Sequence, residues 1–321
     1  MKKIGGFFEL ELAKSGSIYH DDAIQLSTGR ACVNYMLQVV KPSKVYVPFY
    51  CCDALFEPMI INKIPYEFYK ITDQLEIENL PQLDSGELLI CCDFFGIKSN
   101  YIDKLRTIYG KQLIIDNSHS FYQKDYPSHI SFTTARKYFG VPDGAFLYMT
   151  NNDSIDRKIK RNTSISIDHN LHSLIGLQDL AFSEFSAYEK SLHSRIEGIS
   201  VISERLLSHV DFNEVRARRN KNFDFFRKEF NNINTLEILD NEVDSFCYPL
   251  LLSKPISIKA LHEEKIFIPT YWIDTVNRLG SEAYDFECKI TTELLPLPID
   301  HRYTIEDLKR VSESIHKKIK D

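Results

Sequence analysis

The sequence lacks any apolar run long enough to cross a bilayer: residues 88–92 and 249–252 are among its longest, against the roughly 20 that a membrane-spanning helix requires. The opening MKKIGGFFELELAKSG has no continuous hydrophobic stretch of the signal-peptide kind, so no membrane association and a cytoplasmic location are expected. Positive charge is also in short supply. Lys and Arg number 39 against 45 Asp and Glu, giving a net charge of −6, which offers polyanions no general attraction despite a local group at Arg216, Arg218, Arg219 and Lys221. Nucleic acid is therefore not an expected partner. The spacing of a metal site is missing as well, because no CxxC or HxxxH pair occurs. The seven cysteines are odd in number, and the vicinal pairs Cys51-Cys52 and Cys91-Cys92 lie in apolar segments; reduced, buried thiols and no metal are expected. Internal repeats and low-complexity tracts are absent too.

What is present is the balance of an ordinary globular protein, 43% hydrophobic and 26% charged over 321 residues, a length that favours two domains. The first two-thirds alternate between short strands and helices. Residues 30–40 read as a helix, 44–47 as a strand closed by Pro48, and 52–61 as helix again. Residues 66–71 and 87–93 read as strands. Residues 100–109 have helical spacing and stop at Gly110, and 112–116 form a continuous apolar strand of the buried kind. Two further strands are expected at 130–134 and 145–149. A long helical stretch at 183–210 and a basic, aromatic helix at 215–230 follow. The remainder offers a strand at 245–252, a helix at 256–264, a strand at 265–268 and a closing helix at 304–319. The expected division is a large domain over 1–182, a connecting segment over 183–214 and a small domain over 215–321. The class is α/β, with a mostly parallel central sheet, helices on both of its faces and a small C-terminal α/β domain. Ligands of such sheets gather at the carboxyl ends of the strands, where Asp93, Asp116 and residues 133–137 fall.

Three segments carry chemistry. Ser131-Phe-Thr-Thr-Ala-Arg-Lys137-Tyr-Phe-Gly-Val-Pro-Asp143-Gly-Ala145 places one lysine among hydroxyls, an arginine and a turn. A lysine amine attacks a carbonyl near neutral pH when it is desolvated or set beside another cation, conditions that Arg136, Tyr138 and Phe139 offer; an ordinary surface lysine is the bland alternative. Ile114-Ile-Asp116-Asn-Ser-His119 ends a buried strand with a carboxylate able to face a protonated ring nitrogen, and His119 is placed to contact a ring hydroxyl or a substrate. A capping aspartate with a turn histidine accounts for the same residues more simply. Ser27-Thr28-Gly29-Arg30-Ala31 opens a helix with small residues, where backbone N–H groups and the helix dipole favour a phosphate, although it is equally an ordinary cap.

In order and spacing these segments resemble, over nearly the whole chain, the DegT/DnrJ/StrS family of fold type I pyridoxal-phosphate-dependent sugar aminotransferases. Ser27 to Ala31 is similar to the Gly-Thr helix opening of that family, with Arg30 where threonine is usual. Lys44-Val-Tyr-Val-Pro-Phe-Tyr50 resembles the strand and proline that lead to an aromatic stacked on the cofactor, which implies Tyr50. Asp93-Phe-Phe-Gly96 resembles a glycine-closed strand end, and Asp116 with His119 follows an aspartate with His or Gln three residues on. Lys137, six residues before Asp143-Gly144, matches the lysine and acidic-Gly turn, and 294–298 with 303–308 resembles the closing strand and helix. Ser131 stands six residues before the lysine where five is usual, so the resemblance passes phosphate binding to Thr133 or Thr134. No counterpart of a Gly-Tyr-Asn-x-Arg-Met segment occurs around 179–188.

The resemblance implies transfer of an amino group from an amino acid, glutamate or glutamine, to a keto-sugar nucleotide used in polysaccharide or glycoconjugate biosynthesis. Lys137 would hold pyridoxal 5'-phosphate and shuttle a proton, Asp116 would face the ring nitrogen, His119 the ring oxygen and Tyr50 the ring face. Thr28, Gly29, Arg30, Thr133 and Thr134 would supply the phosphate contacts. The alternatives on the same scaffold are an elimination or dehydration and a catalytically degenerate binding protein. A homodimer with shared sites is expected. The helix bearing Arg216, Arg218, Arg219, Phe223, Phe225 and Phe226 should bury one face and keep the other charged at a junction. The apolar segment 5–10 should pack over the site or the partner chain.

Overall fold

The computed structural model describes residues 4, 6–124, 128–149, 158–239 and 244–320. Strands β1 (Ile24–Leu26), β2 (Lys44–Pro48), β3 (Tyr66–Tyr69), β4 (Glu87–Cys92), β5 (Leu113–Asp116), β6 (Ile130–Thr134) and β7 (Ala145–Tyr148) form one sheet in the order β1-β7-β6-β5-β4-β2-β3. From β6 to β3 every pairing is parallel, while β7 runs antiparallel to both β6 and β1. The expectation of a mostly parallel sheet therefore holds. Leu113, Ile114 and Ile115 are all buried, although alternate residues of a strand face opposite ways, so both faces of the sheet are covered. Helix α1 (Gly29–Val40) packs on β6 and β7, and α3 (Ser99–Tyr109) on β5.

Local chemistry sets the ends of α1. The Thr28 hydroxyl accepts the Ala31 N–H at 3.0 Å, and the chain leaves the helix at Lys41 in a left-handed conformation (φ 51°). The segment 52–61, expected as one helix, divides into a 3₁₀ turn at Asp53–Leu55 and α2 at Glu57–Asn62.

Helices α4 (Asp168–Leu174), α5 (Gln178–Ser191) and α6 (Val201–Leu207) lead to α7 (Phe212–Phe230). The single helical stretch expected at 183–210 is thus corrected. An extended segment separates α5 from α6, where Ser27 and Asn162 donate their backbone N–H groups to Glu197 and Gly198 at 2.8 Å each, tying this segment to the residues beside β1. A second sheet joins β8 (Tyr248–Leu250) antiparallel to β9 (Leu295–Leu297), with α8 (Ile258–Glu263), α9 (Asp274–Asn277), α10 (Asp285–Glu293) and α11 (Ile305–Lys320) completing the C-terminal part. The strand expected at 265–268 does not form. Ile266 and Ile268 are buried in alternation, but Lys265 turns the backbone left-handed (φ 58°), so the period-two pattern reflects burial and no ladder. The helices at 274–293 have no counterpart in the sequence reading.

On α7, Phe223, Phe226 and Phe230 are buried as the spacing requires. Arg219, counted with the charged face, is buried with them; it donates to the backbone oxygens of Ser245 (3.2 Å) and Phe246 (2.6 Å) and lies over the Tyr138 ring. Segment 5–10 does not pack over the site of its own chain. Gly5 lies outside the described residues, and Phe7 and Phe8 are 98% and 95% exposed, so they cover no site on this chain.

Candidate active site

Because β2, β4, β5 and β6 are parallel, their carboxyl ends share one edge of the sheet, and a cavity of about 530 Å³ opens there. Each strand delivers side chains to it: Cys51 and Cys52 after β2, Cys92 and Asp93 from β4, Asp116, Ser118 and His119 from β5, and Thr134, Arg136 and Lys137 from β6. Thr28, Gly29 and Arg30 enter at the start of α1. Three distant segments supply an apolar wall, with Phe185 from α5, Phe246 before β8, and Tyr271 with Trp272 before α9.

Lys137 ends a 3₁₀ turn (Ala135–Lys137) that is braced from behind. The Ala135 N–H and the Thr134 hydroxyl both donate to the Gly144 carbonyl, at 2.9 and 3.1 Å. Gly144 has φ 121°, and a Cβ there would lie 3.1 Å from the Ile199 side chain, which explains glycine at this point. Asp143 beside it is buried. Its carboxylate accepts the Ser200 hydroxyl at 2.6 Å, the Ser200 N–H at 3.0 Å and the Asn162 amide at 3.2 Å. The spacing from Lys137 to Asp143-Gly144 is therefore the spacing of a turn to its brace. Lys137 itself is exposed, and its amine has no hydrogen bond or ion pair among the described residues; the Phe246 ring lies 5.9 Å away.

The surroundings expected to activate this lysine are corrected. Arg136 turns to Glu189 and lies over Tyr188, while Tyr138 and Phe139 are buried in a core cluster and do not line the cavity.

The Asp116 carboxylate accepts the Ser118 N–H at 2.8 Å, and the Cys92 thiol lies 3.7 Å away. It caps no helix. His119 is 3% exposed and accepts the Phe95 N–H at Nδ1 (3.1 Å); its Nε2 is buried without a partner among the described residues. Burial, assisted by the charge on Lys137, holds this imidazole well below the ordinary histidine pKa.

Thr28 and Gly29 line the cavity, the former capping α1. Arg30 donates to Glu57 at 2.9 Å. Thr134 lines the cavity, whereas Thr133, one residue earlier on β6, gives its hydroxyl to the Asn117 carbonyl at 2.7 Å and lies outside the lining. Tyr50 is also outside it: 1% exposed, it stands edge-on to Trp272, and the next two residues, Cys51 and Cys52, reach the cavity in its place. Burial raises the Cys52 thiol above the ordinary cysteine pKa, Lys137 acting in the opposite direction.

Trp272, Tyr271, Phe246, Phe185 and Glu189 were missed in the sequence. They lie 48 or more positions after Lys137 on segments without catalytic spacing, so no local signal marks them.

No family model and no curated protein matches the chain. Solved structures do. A DegT DnrJ EryC1 StrS aminotransferase from Brucella abortus is similar at 14% identity over 92% of this chain and 85% of its own, with a TM-score of 0.63. The sugar aminotransferase CalS13 from Micromonospora echinospora follows at 12%, 93% and 88%, TM-score 0.64. The PMP-form of Spr1654 from Streptococcus pneumoniae gives 14%, 91% and 84%, TM-score 0.65. The chain has the fold type I architecture of these aminotransferases. In this fold the cavity occupies the carboxyl edge of the parallel strands, where open α/β sheets place their ligands.

Proposed function

We propose that the chain is a pyridoxal-phosphate-dependent aminotransferase of the sugar type, working as a cytoplasmic homodimer. The observation that carries this reading is the meeting, in one cavity, of a strand-end carboxylate with a lysine amine and a buried imidazole Nε2 that have no hydrogen-bond partner among the described residues. The fold's solved members support it, since Spr1654 is known in PLP and PMP forms.

The residues present suit the cofactor. Because Nδ1 of His119 accepts a hydrogen bond, the neutral ring carries its proton on Nε2, and a buried donor left unpaired costs about 1–3 kcal/mol until it is satisfied. A phenolic oxygen on the cofactor ring would satisfy it. Asp116 would take the ring nitrogen, and Thr28, Gly29 and Thr134 the phosphate, beside the start of α1. Bound there, pyridoxal phosphate supplies an electron sink that lowers the barrier to removing a proton from the substrate carbon.

Lys137 would hold the cofactor through its amine and move that proton, its freedom from ion pairs leaving it mobile within the cavity. Asp116 would keep a proton on the ring nitrogen. The aromatic wall would exclude water. The amino donor is proposed to be glutamate or glutamine and the acceptor a keto-sugar nucleotide.

Titration of the purified protein with pyridoxal phosphate, followed by a screen of keto-sugar nucleotides with glutamate, tests the proposal. A visible absorption band and an amino-sugar product are expected. Protein that stays colourless with saturating cofactor would sink it. Asp116→Asn should still take up cofactor but slow the half-reaction at least about a hundredfold, and an unimpaired half-reaction would remove Asp116 from this role.

A further inference from the structure

His119 is stacked against three aromatic rings. The Trp272 indole lies nearly parallel to the imidazole with ring centroids 5.2 Å apart and planes within 9°, Phe246 stacks at 4.5 Å and 20°, and Phe95 at 5.5 Å and 28°. The stack is assembled from parts of the chain far apart in sequence. Arg219 on α7 grips the Phe246 carbonyl, and Trp272 stands on the Tyr50 and Phe94 rings, edge-on, at 4.5 and 5.7 Å.

Trp272 is held at φ 54°, a left-handed conformation that costs a bulky residue roughly 1–3 kcal/mol and persists where its surroundings enforce it. The packing of the indole on His119, Tyr50 and Phe94 supplies that enforcement. Lys137, after β6, is the charge acting on the imidazole. Tyr271, whose ring is 6.0 Å away, stays neutral because burial pushes its phenol well up, and Asp116, on the same loop as His119, is engaged by the Ser118 N–H.

We propose that Trp272 is a positioning residue: its indole shuts water from His119, so that the imidazole stays neutral and keeps its Nε2 hydrogen as a fixed donor for the ligand of the cavity. Water at the open face would favour the protonated ring. That ring carries hydrogens on both nitrogens, so Nδ1 would then confront the Phe95 N–H donor to donor. The identity of the ligand rests on the functional reading above; the state of the imidazole does not.

Nitrogen NMR of histidine-labelled, cofactor-free protein tests this, with His119 assigned by its loss in His119→Asn. In the unsubstituted protein His119 should remain the neutral Nε2–H tautomer from about pH 8 to about pH 5.5. In Trp272→Leu it should titrate with a midpoint nearer the ordinary value of about 6.5, and Trp272→Phe, which restores a ring, should return it to the neutral state. Pyridoxal phosphate affinity should follow, falling about tenfold in Trp272→Leu between about pH 8 and about pH 6 while staying level in the unsubstituted protein and in Trp272→Phe. Trp272 is the only tryptophan, so both variants lose its emission, and binding is read in all three proteins from the absorbance of the bound cofactor. A His119 that titrates near 6.5 in the unsubstituted protein overturns the proposal, and this result needs no variant at position 272 to fold. An imidazole that stays neutral in Trp272→Leu overturns it equally. A protein that holds the neutral tautomer yet binds no pyridoxal phosphate overturns the functional reading alone.

Discussion

Lys137 illustrates how a single residue separates a chemical role from a structural one. Its side chain is exposed and makes no hydrogen bond or ion pair among the described residues, so Lys137→Ala should change stability by no more than about 0.5 kcal/mol, while abolishing covalent capture of the cofactor. Borohydride reduction with pyridoxal phosphate, followed by peptide mapping, should place the label on Lys137; label on Lys160 or Lys111 would refute the assignment. His20 is the opposite case, buried and bonded at both nitrogens, to the Tyr148 hydroxyl and the Phe121 carbonyl at 2.7 Å each. Burial lowers its pKa from 6.5 to about 4. The unfolded chain therefore binds this proton first as the pH falls. The stability that His20 contributes is complete above about pH 6.5 and is lost between there and about pH 4, reaching about 2 kcal/mol lost near pH 5. Denaturant titrations should show this loss in the unsubstituted protein and a smaller one in His20→Gln; equal slopes would assign the acid sensitivity elsewhere.

Among the elements, the turn after β4 matters more than its length suggests. Phe94–Gly96 is a 3₁₀ turn in which Phe95 takes φ 59° and Gly96 φ 75°. A Cβ on Gly96 would meet the His119 carbonyl and lie 2.9 Å from the Ser245 Cα. Both are backbone atoms, which cannot swing aside as a flexible side chain would. Gly96→Ala should therefore cost about 3 kcal/mol or more and displace the loop that carries His119. Thermal unfolding with cofactor titration checks this, and a variant with unchanged midpoint and affinity would show the approach to be looser. The resemblance of Asp93-Phe-Phe-Gly96 to a glycine-closed strand end was legible in the sequence. The reason for the glycine was not, because it is a contact with residues 23 and 149 positions further on.

For the whole molecule, the C-terminal part is pinned to the large sheet by Arg278. Its guanidinium donates to the carbonyls of Phe49 and Cys51 and to Asp53, among the rings of Phe49, Phe56 and Phe68. The α4–α5 region, by contrast, leaves Leu174, Ile175 and Phe182 exposed at 82%, 68% and 71%. Apolar side chains left exposed in this way, with Phe182 on the helix α5 that also lines the cavity, favour a partner over solvent. We expect a homodimer of the isologous kind. Light scattering at low micromolar concentration should give twice the chain mass, and Phe182→Glu should shift it toward monomer. A clean monomer with full cofactor absorbance would refute a shared site.

Most strands and helices between residues 30 and 149 were readable from local signals: apolar continuity for β5, the Thr28 cap for α1 and the glycine stop of α3; β1, only three residues long, was not. Lys137, Asp116 and His119 were readable too, because a turn, its brace and a strand end have fixed separations along a chain. What only the tertiary structure decided is which neighbours face the cavity. Tyr50 and Cys52 lie two residues apart after the same strand, as Thr133 and Thr134 are consecutive on another, and the backbone path and packing around each, not residue type, determine which side chain is exposed there. The wall of Phe185, Phe246 and Trp272 exists only once α5 and the C-terminal part have folded back onto the sheet. Contacts formed by distant segments depend on the path of the whole chain, and a local pattern carries no record of that path.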